Sequence, residues 1–189
     1  MFRYGRSTFF VADSSETTGL KWQAPAGAGM VKISRQSVTA ASSVDFNGVF
    51  TNTYNSYVVI VEQIFGSTTL TLQCQLKYST STNITSDYYG NSIKETSSTV
   101  YGPQATWDLG VTAIAGNSGE FSSCYVLLSP MRNASGRGNI SGFGFSAAAN
   151  RNINFAGTCA NANQDYTGFR MLPSTGTFTG IFTLYGLEK

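Results

Sequence analysis

The run Leu70-Thr71-Leu72-Gln73-Cys74-Gln75-Leu76-Lys77-Tyr78 constrains the fold of this chain more than any other. Its apolar residues recur at every second position, so in a strand Leu70, Leu72, Cys74, Leu76 and Tyr78 line one face and the polar residues line the other. A helix would scatter the same side chains around its circumference. Upstream, Tyr57-Val58-Val59-Ile60-Val61 is apolar on both faces, the pattern of a central strand covered on each side. Gly66-Ser67-Thr68 separates the two runs and predicts a hairpin of 57–65 with 69–79. Short runs of Val, Ile, Thr, Tyr and Phe broken by Gly, Asn and Ser predict further strands at 30–35, 37–46, 121–129, 139–147, 152–157, 166–172 and 177–187. The last run is apolar on both sides through Phe178, Ile181, Phe182, Leu184, Tyr185 and Leu187, and predicts a strand that closes the fold.

Nine antiparallel strands are too many for one flat sheet, and packing two sheets hides apolar residues of both. The expectation is therefore an all-β fold, an antiparallel two-sheet β-sandwich of jelly-roll type spanning residues 30–189. No βαβ alternation is present, which sets doubly wound and helical architectures aside. Residues 80–118, rich in Ser, Thr, Asn and Gly, predict long loops with one short helical turn. Residues 1–23 show no sustained period and run into Ala24-Pro25-Ala26-Gly27-Ala28-Gly29, so 1–29 read as an extended N-terminal arm plus a Gly/Ala joint. A length of 189 residues fits one such domain.

Composition narrows the chemistry. Charged residues are 12% of the chain, against about 25% in ordinary domains. Ser and Thr number 45 and Asn 13, so hydroxyls and amides carry the polarity. A net charge of +2 with no basic cluster provides no field for a phosphate backbone, and nucleic acid is not expected as a partner. No run approaches the roughly 18 apolar residues of a membrane span, so a soluble chain without membrane insertion is expected. The N-terminus offers only Phe9 to Ala12 as an apolar run, too short for a Sec-type signal.

Histidine is absent, which excludes Ser-His-Asp and Cys-His nucleophiles and histidine metal sites. Cys74, Cys124 and Cys159 are odd in number and lack C-x-x-C spacing, so they read as core or interface thiols, with neither a disulfide framework nor a metal site implied. Gly116-Asn117-Ser118-Gly119 is a turn tetrad whose serine lacks a base, and no lysine lies three residues after a serine. Ten carboxylates leave one enzymatic alternative, a glycan-cleaving acid/base pair, but all except Glu62 lie on the arm, at the terminus or beside turns. No catalytic residue, metal or cofactor is assigned. Tyr88, Tyr89, Tyr101 and Trp107, read as loop aromatics, together with Arg132 and Arg137, are candidate contacts to a receptor or glycan, or fillers of a subunit interface.

Residues 7–25, STFFVADSSETTGLKWQAP, resemble a segment of virion structural proteins of tailed bacteriophages, fibre and head-decoration proteins in particular. Residues 168–180, GFRMLPSTGTFTG, with the ending Leu184-Tyr185-Gly186-Leu187, are similar to the closing strands of domains in those proteins. The resemblance implies a non-enzymatic homotrimer on the outer surface of a capsid or on a tail fibre. Its partners would be its own copies, the major capsid protein or another virion protein, and, for a fibre tip, a host-surface glycan or protein. It makes the arm the anchor, through Phe2, Tyr4, Phe9, Phe10, Val11, Leu20 and Trp22. Each such side chain, fully buried, contributes about 1.5–3 kcal/mol before ordering costs. A chain starting at Met1 has no room for a long shaft, which favours a capsid decoration or head-fibre protein. A chain with further residues before Met1 would be a receptor-binding tip.

Overall fold

The computed structural model describes residues 9–12, 20–23, 29–78, 82–94, 97–113, 115–116, 119, 121–131, 137–160 and 165–188, apart from the side chains of 9–12, 20–23, 149 and 188. Its strands, in chain order, are β1 (Phe9–Ala12), β2 (Leu20–Gln23), β3 (Met30–Ala41), β4 (Val44–Phe46), β5 (Tyr54–Gly66), β6 (Leu70–Lys77) and β7 (Tyr88–Lys94). They continue as β8 (Ser97–Gln104), β9 (Trp107–Ala113), β10 (Ser122–Ser129), β11 (Gly138–Ser146), β12 (Arg151–Cys159), β13 (Gly168–Pro173) and β14 (Phe178–Glu188). The helical turn among the described residues is a short 3-10 segment at Ala147–Ala149, outside the 80–118 stretch where one was expected.

An eight-stranded sheet in the order β3-β14-β5-β10-β11-β12-β7-β8 faces a four-stranded sheet in the order β4-β13-β6-β9, with antiparallel pairing between named strands throughout. The all-β, two-sheet antiparallel sandwich expected from the sequence is the fold observed. Jelly-roll winding is a finer statement, which a division into eight and four does not by itself establish. β3 and β8 form the margins of the larger sheet.

Two expectations are corrected. First, 57–65 and 69–79 do not pair as a hairpin. β5 lies between β14 and β10, whereas β6 lies between β13 and β9 in the other sheet. Each strand has an apolar face, Tyr57, Val59, Val61 and Ile64 on β5 and Leu70, Leu72, Cys74 and Leu76 on β6, and all eight are buried in the same core. The chain satisfies both faces by folding one strand over the other, so the turn becomes a corner between sheets. Gly66 makes that corner possible: a Cβ there would sit 2.3 Å from the Thr68 carbonyl oxygen and 2.5 Å from Leu70 Cδ2.

Second, the 80–118 region holds three strands rather than long loops. β7 joins the large sheet beside β12, β8 follows as its margin, and β9 closes the small sheet beside β6. The inward residues of β9, Trp107, Leu109, Val111 and Ala113, are all buried. The Trp107 ring meets Tyr88 of β7 edge-on, with centroids 4.9 Å apart and planes at 70°. At the other end of the core Phe46 stacks on Phe169 at 4.7 Å, and Phe50 bridges Phe169 and Tyr57.

In the N-terminal segment the described residues are two short extended strands. β1 and β2 pair antiparallel in a two-stranded sheet of their own, with Phe10 opposite Trp22 and Val11 opposite Lys21. Phe2 and Tyr4 lie outside the described residues.

Candidate functional site

In antiparallel strands, directly opposed residues share a face. Register therefore identifies what the eight-stranded sheet presents on the side away from the four-stranded one. One row runs Thr183, Ile60, Tyr125, Phe143, Asn154, Ile93 across six strands, from β14 to β7. Beside it lies Ser123, Phe145, Asn152. Along these strands the alternate residues Val61, Cys124, Val126, Ile153 and Phe155 are buried in the core. Thr183 and, at the same parity of β5, Val58 are buried, whereas toward β11 and the β8 margin large outward residues are exposed: Phe143 is 59% exposed, Ile93 49% and Phe145 38%, and Val100, opposite Asn91 on β8, is 82% exposed.

β11 explains why aromatic rings stand on the open side. Its sequence, Gly138-Asn139-Ile140-Ser141-Gly142-Phe143-Gly144-Phe145-Ser146, puts Gly142 and Gly144 toward the core and Phe143 and Phe145 toward solvent. The inward positions admit nothing larger, since a Cβ at Gly142 would lie 2.5 Å from the Phe155 ring and one at Gly144 would lie 2.7 Å from Cys124 Cβ. The strand is packed tightly from below by its neighbours' side chains and carries its own bulk above. Phe143 is fixed there by stacking on Tyr125, with centroids 5.4 Å apart and planes at 11°.

A groove of about 810 Å³ runs over this face, floored by β5, β10, β11 and β12. Phe121, Tyr125, Phe143 and Phe145 supply its aromatic surface, and Glu62, Gln63, Asn152 and Asn154 its polar groups. Glu62 and Gln63 reach the groove together because β5 bulges. Between Val61 and Ile64 these two residues stand opposite Ser123 alone on β10, and the register against β14 slips at the same place. Gln63 has φ 55°, a left-handed conformation that is uncommon for a residue other than glycine and that occurs at bulges and functional surfaces. The bulge breaks the in-out alternation, and both side chains are exposed. Gln63 and Phe121 also border a smaller neighbouring depression of about 230 Å³ over β3 and β14.

No protein-family model, no curated protein and no solved structure matches the chain. The arrangement of the molecule therefore carries the functional argument.

The residues singled out in the sequence are dispersed. Tyr88 and Trp107, read as loop aromatics free to contact a receptor, are fully buried in the core, and this removes them from any surface contact. The Tyr88 hydroxyl donates to the Ile84 carbonyl and accepts from the Leu76 N–H, and burial above all holds its pKa well above the ordinary tyrosine value. Tyr101 is half-buried on β8 and donates to the Asp108 carbonyl. Tyr89 and Arg137 are exposed, neither of them in the groove lining. Arg132 lies outside the described residues, as do the side chains of Phe9, Phe10, Val11, Leu20 and Trp22.

Cys74, Cys124 and Cys159 are buried and in no disulfide. Desolvation pushes Cys124 up to about 12 and Cys74 higher still, so neither is a thiolate at neutral pH. Asp45 is engaged by Lys77 and Arg170, and the Asp108 carboxylate accepts from the Gly110 N–H at 2.7 Å. Among the described residues of the groove lining Glu62 is the one carboxylate, whereas glycosidic hydrolysis by paired carboxylates needs a second facing it. Among the described residues no group of three or more Cys, Asp or Glu gathers into a metal-binding set, and no helix is long and apolar enough to cross a membrane.

Proposed function

We propose that this chain is a non-enzymatic structural protein of the surface of a tailed-phage virion, a capsid decoration or head-fibre protein that associates with its own copies, as a homotrimer, and docks on the particle through its N-terminal segment. The observation that carries this reading is the set of large apolar side chains left exposed on the outer face of the eight-stranded sheet. Phe143, Phe145, Ile93 and Val100 stand exposed on it, in a chain with 12% charged residues. Large apolar side chains left in solvent on a sheet face mark a contact in assembled proteins, and a near-neutral chain lets identical copies approach without repulsion. The resemblance of residues 7–25 to phage virion proteins supports the same reading. The test is quantitative mass spectrometry of purified particles carrying the full chain or a chain lacking residues 1–29. The full chain is expected at hundreds of copies per particle (on the order of the capsid subunit number) and the truncated chain at none. Normal incorporation of the truncated chain refutes the anchoring role.

A second reading, host attachment as a receptor-binding tip, is favoured by the groove with its exposed rings and amides. Purified protein would then adsorb to host cells and compete with phage for them. The third, a glycan-cleaving enzyme, has among the described residues only Glu62 in the groove to support it.

A further inference from the structure

From the groove over β5, β10, β11 and β12 we infer that the protein binds a neutral oligosaccharide chain there, with Phe143 and Phe145 as stacking platforms and Gln63, Asn152, Asn154 and Glu62 as hydrogen-bonding partners of the sugar hydroxyls. The inference deepens the host-attachment reading and rests on it for its biological setting. Four observations converge. The groove volume, about 810 Å³, falls within the roughly 300–1,000 Å³ of small-molecule sites, large enough for several sugar rings in an open trough. Phe143 has one ring face stacked on Tyr125 and is still 59% exposed, so a rigid aromatic plane is offered to solvent. A pyranose presents C–H groups on one face and hydroxyls at its rim, which matches a ring face edged by planar amides that both donate and accept. Finally, the backbone adopts a left-handed residue at Gln63, where a bulge turns two successive polar side chains to the groove.

Charge selects among saccharides. Among the described residues the lining contains Glu62 and no Lys or Arg, so a uronic, sialic or sulfated chain would bring anions to a lining with a carboxylate and no cation. A neutral chain meets no such cost. The Gln63–Phe121 wall, shared with the smaller depression over β3 and β14, gives a chain longer than the main groove a second place to rest.

The test is isothermal titration of the purified full chain with cellohexaose, laminarihexaose and mannohexaose as neutral probes and hexagalacturonate as the acidic one. At least one neutral hexamer is expected to bind with a Kd of about 1 mM or tighter, and hexagalacturonate at least tenfold more weakly. Phe143→Ala and Asn154→Ala should each weaken the neutral hexamer by about tenfold or more, Phe143→Tyr should retain binding, and Met30→Ser, exposed on β3 and outside the groove lining, should leave it unchanged. Absence of binding by all three neutral hexamers at about 10 mM, preference for the acidic hexamer, or equal binding by Phe143→Ala overturns the inference. Phe143 is exposed, so its replacement leaves the core intact, and circular dichroism of each variant verifies this. The titration uses purified protein and sugar, so its failure leaves adsorption of the protein to host cells, through another surface, to be decided by the competition assay.

Discussion

Replacing Asp45 by Asn tests how far a buried cation depends on its carboxylate partner. Lys77 is 4% exposed on β6, and its ammonium donates to Asp45 Oδ1 and, at 2.7 Å, to Asn47 Oδ1. Arg170 on β13 reaches the same carboxylate at 3.5 Å and the Ser43 hydroxyl at 2.7 Å, and Ser43 donates to Asp45 Oδ2 at 3.1 Å. Removing one partner of a buried pair costs about 3–5 kcal/mol; Asp45 is 30% exposed and Asn47 remains as an acceptor, so about 3 kcal/mol is expected. At a urea slope of about 2 kcal/mol/M this lowers the unfolding midpoint by about 1.5 M. Combining Asp45→Asn with Lys77→Met removes the stranded charge and should recover stability to within about 1 kcal/mol of the parent. Acid adds a second signature. Burial alone raises the Asp45 pKa, but the Lys77 hydrogen bond, the charges of Arg170 and Lys77 and the Ser43 hydroxyl outweigh it and hold the carboxyl below its ordinary 3.8. A carboxyl depressed in the folded state contributes stability that is complete above its unfolded pKa and is lost as pH falls through the folded value. The gap between parent and Asp45→Asn should therefore be widest near neutrality and narrow below about pH 4. A neutral-pH difference under about 0.5 kcal/mol, or a gap constant into acid, refutes the reasoning.

Burial of all three thiols predicts no reaction of Cys74, Cys124 or Cys159 with a thiol-specific disulfide reagent in the native protein, and full reaction of all three in guanidinium. Trp107→Ala empties the largest buried side chain of the core and should cost about 3–5 kcal/mol by urea unfolding. Gly144→Ala places a methyl 2.7 Å from Cys124 Cβ and should destabilise by about 1–3 kcal/mol, while Phe145→Ala, on the open face of the same strand, should change stability by less than about 1 kcal/mol. Val100→Ser together with Ile93→Ser should reduce self-association in sedimentation equilibrium without lowering Tm, since both side chains face solvent in the single chain.

The strands with strict alternation or a doubly apolar run were legible. Leu70 to Leu76 could be nothing but a strand, and Val58 to Val61 and Phe178 to Leu184 lie centrally in their sheet because both faces carry apolar weight. β7 was hidden because its inward residues are Tyr88, Gly90 and Ser92; the space beside Gly90 is taken by Tyr101, a residue of another strand. β9 does carry the alternation in its sequence, with Trp107, Leu109, Val111 and Ala113 at every second position. The turn at Gly66-Ser67-Thr68 reads identically as a hairpin or as a corner, since local turn chemistry does not encode which sheet the next strand enters. The groove was illegible as a whole because register alone brings Gln63, Phe143 and Asn154 together from three strands. One local signal existed, the inverted pattern of β11, with glycines at one parity and phenylalanines at the other.

The margins of the eight-stranded sheet bear on how copies can grow into larger structures. β8 ends in Gly102-Pro103-Gln104, and a proline has no N–H to offer an incoming strand, while β3 carries Lys32 and Arg35 along its length. Lateral zippering of one molecule's rim onto the next, the route to ribbons and fibrils, is thereby discouraged at both borders. Copies that meet would do so through the broad face of the sheet, where the backbone is already paired and side chains alone set the fit.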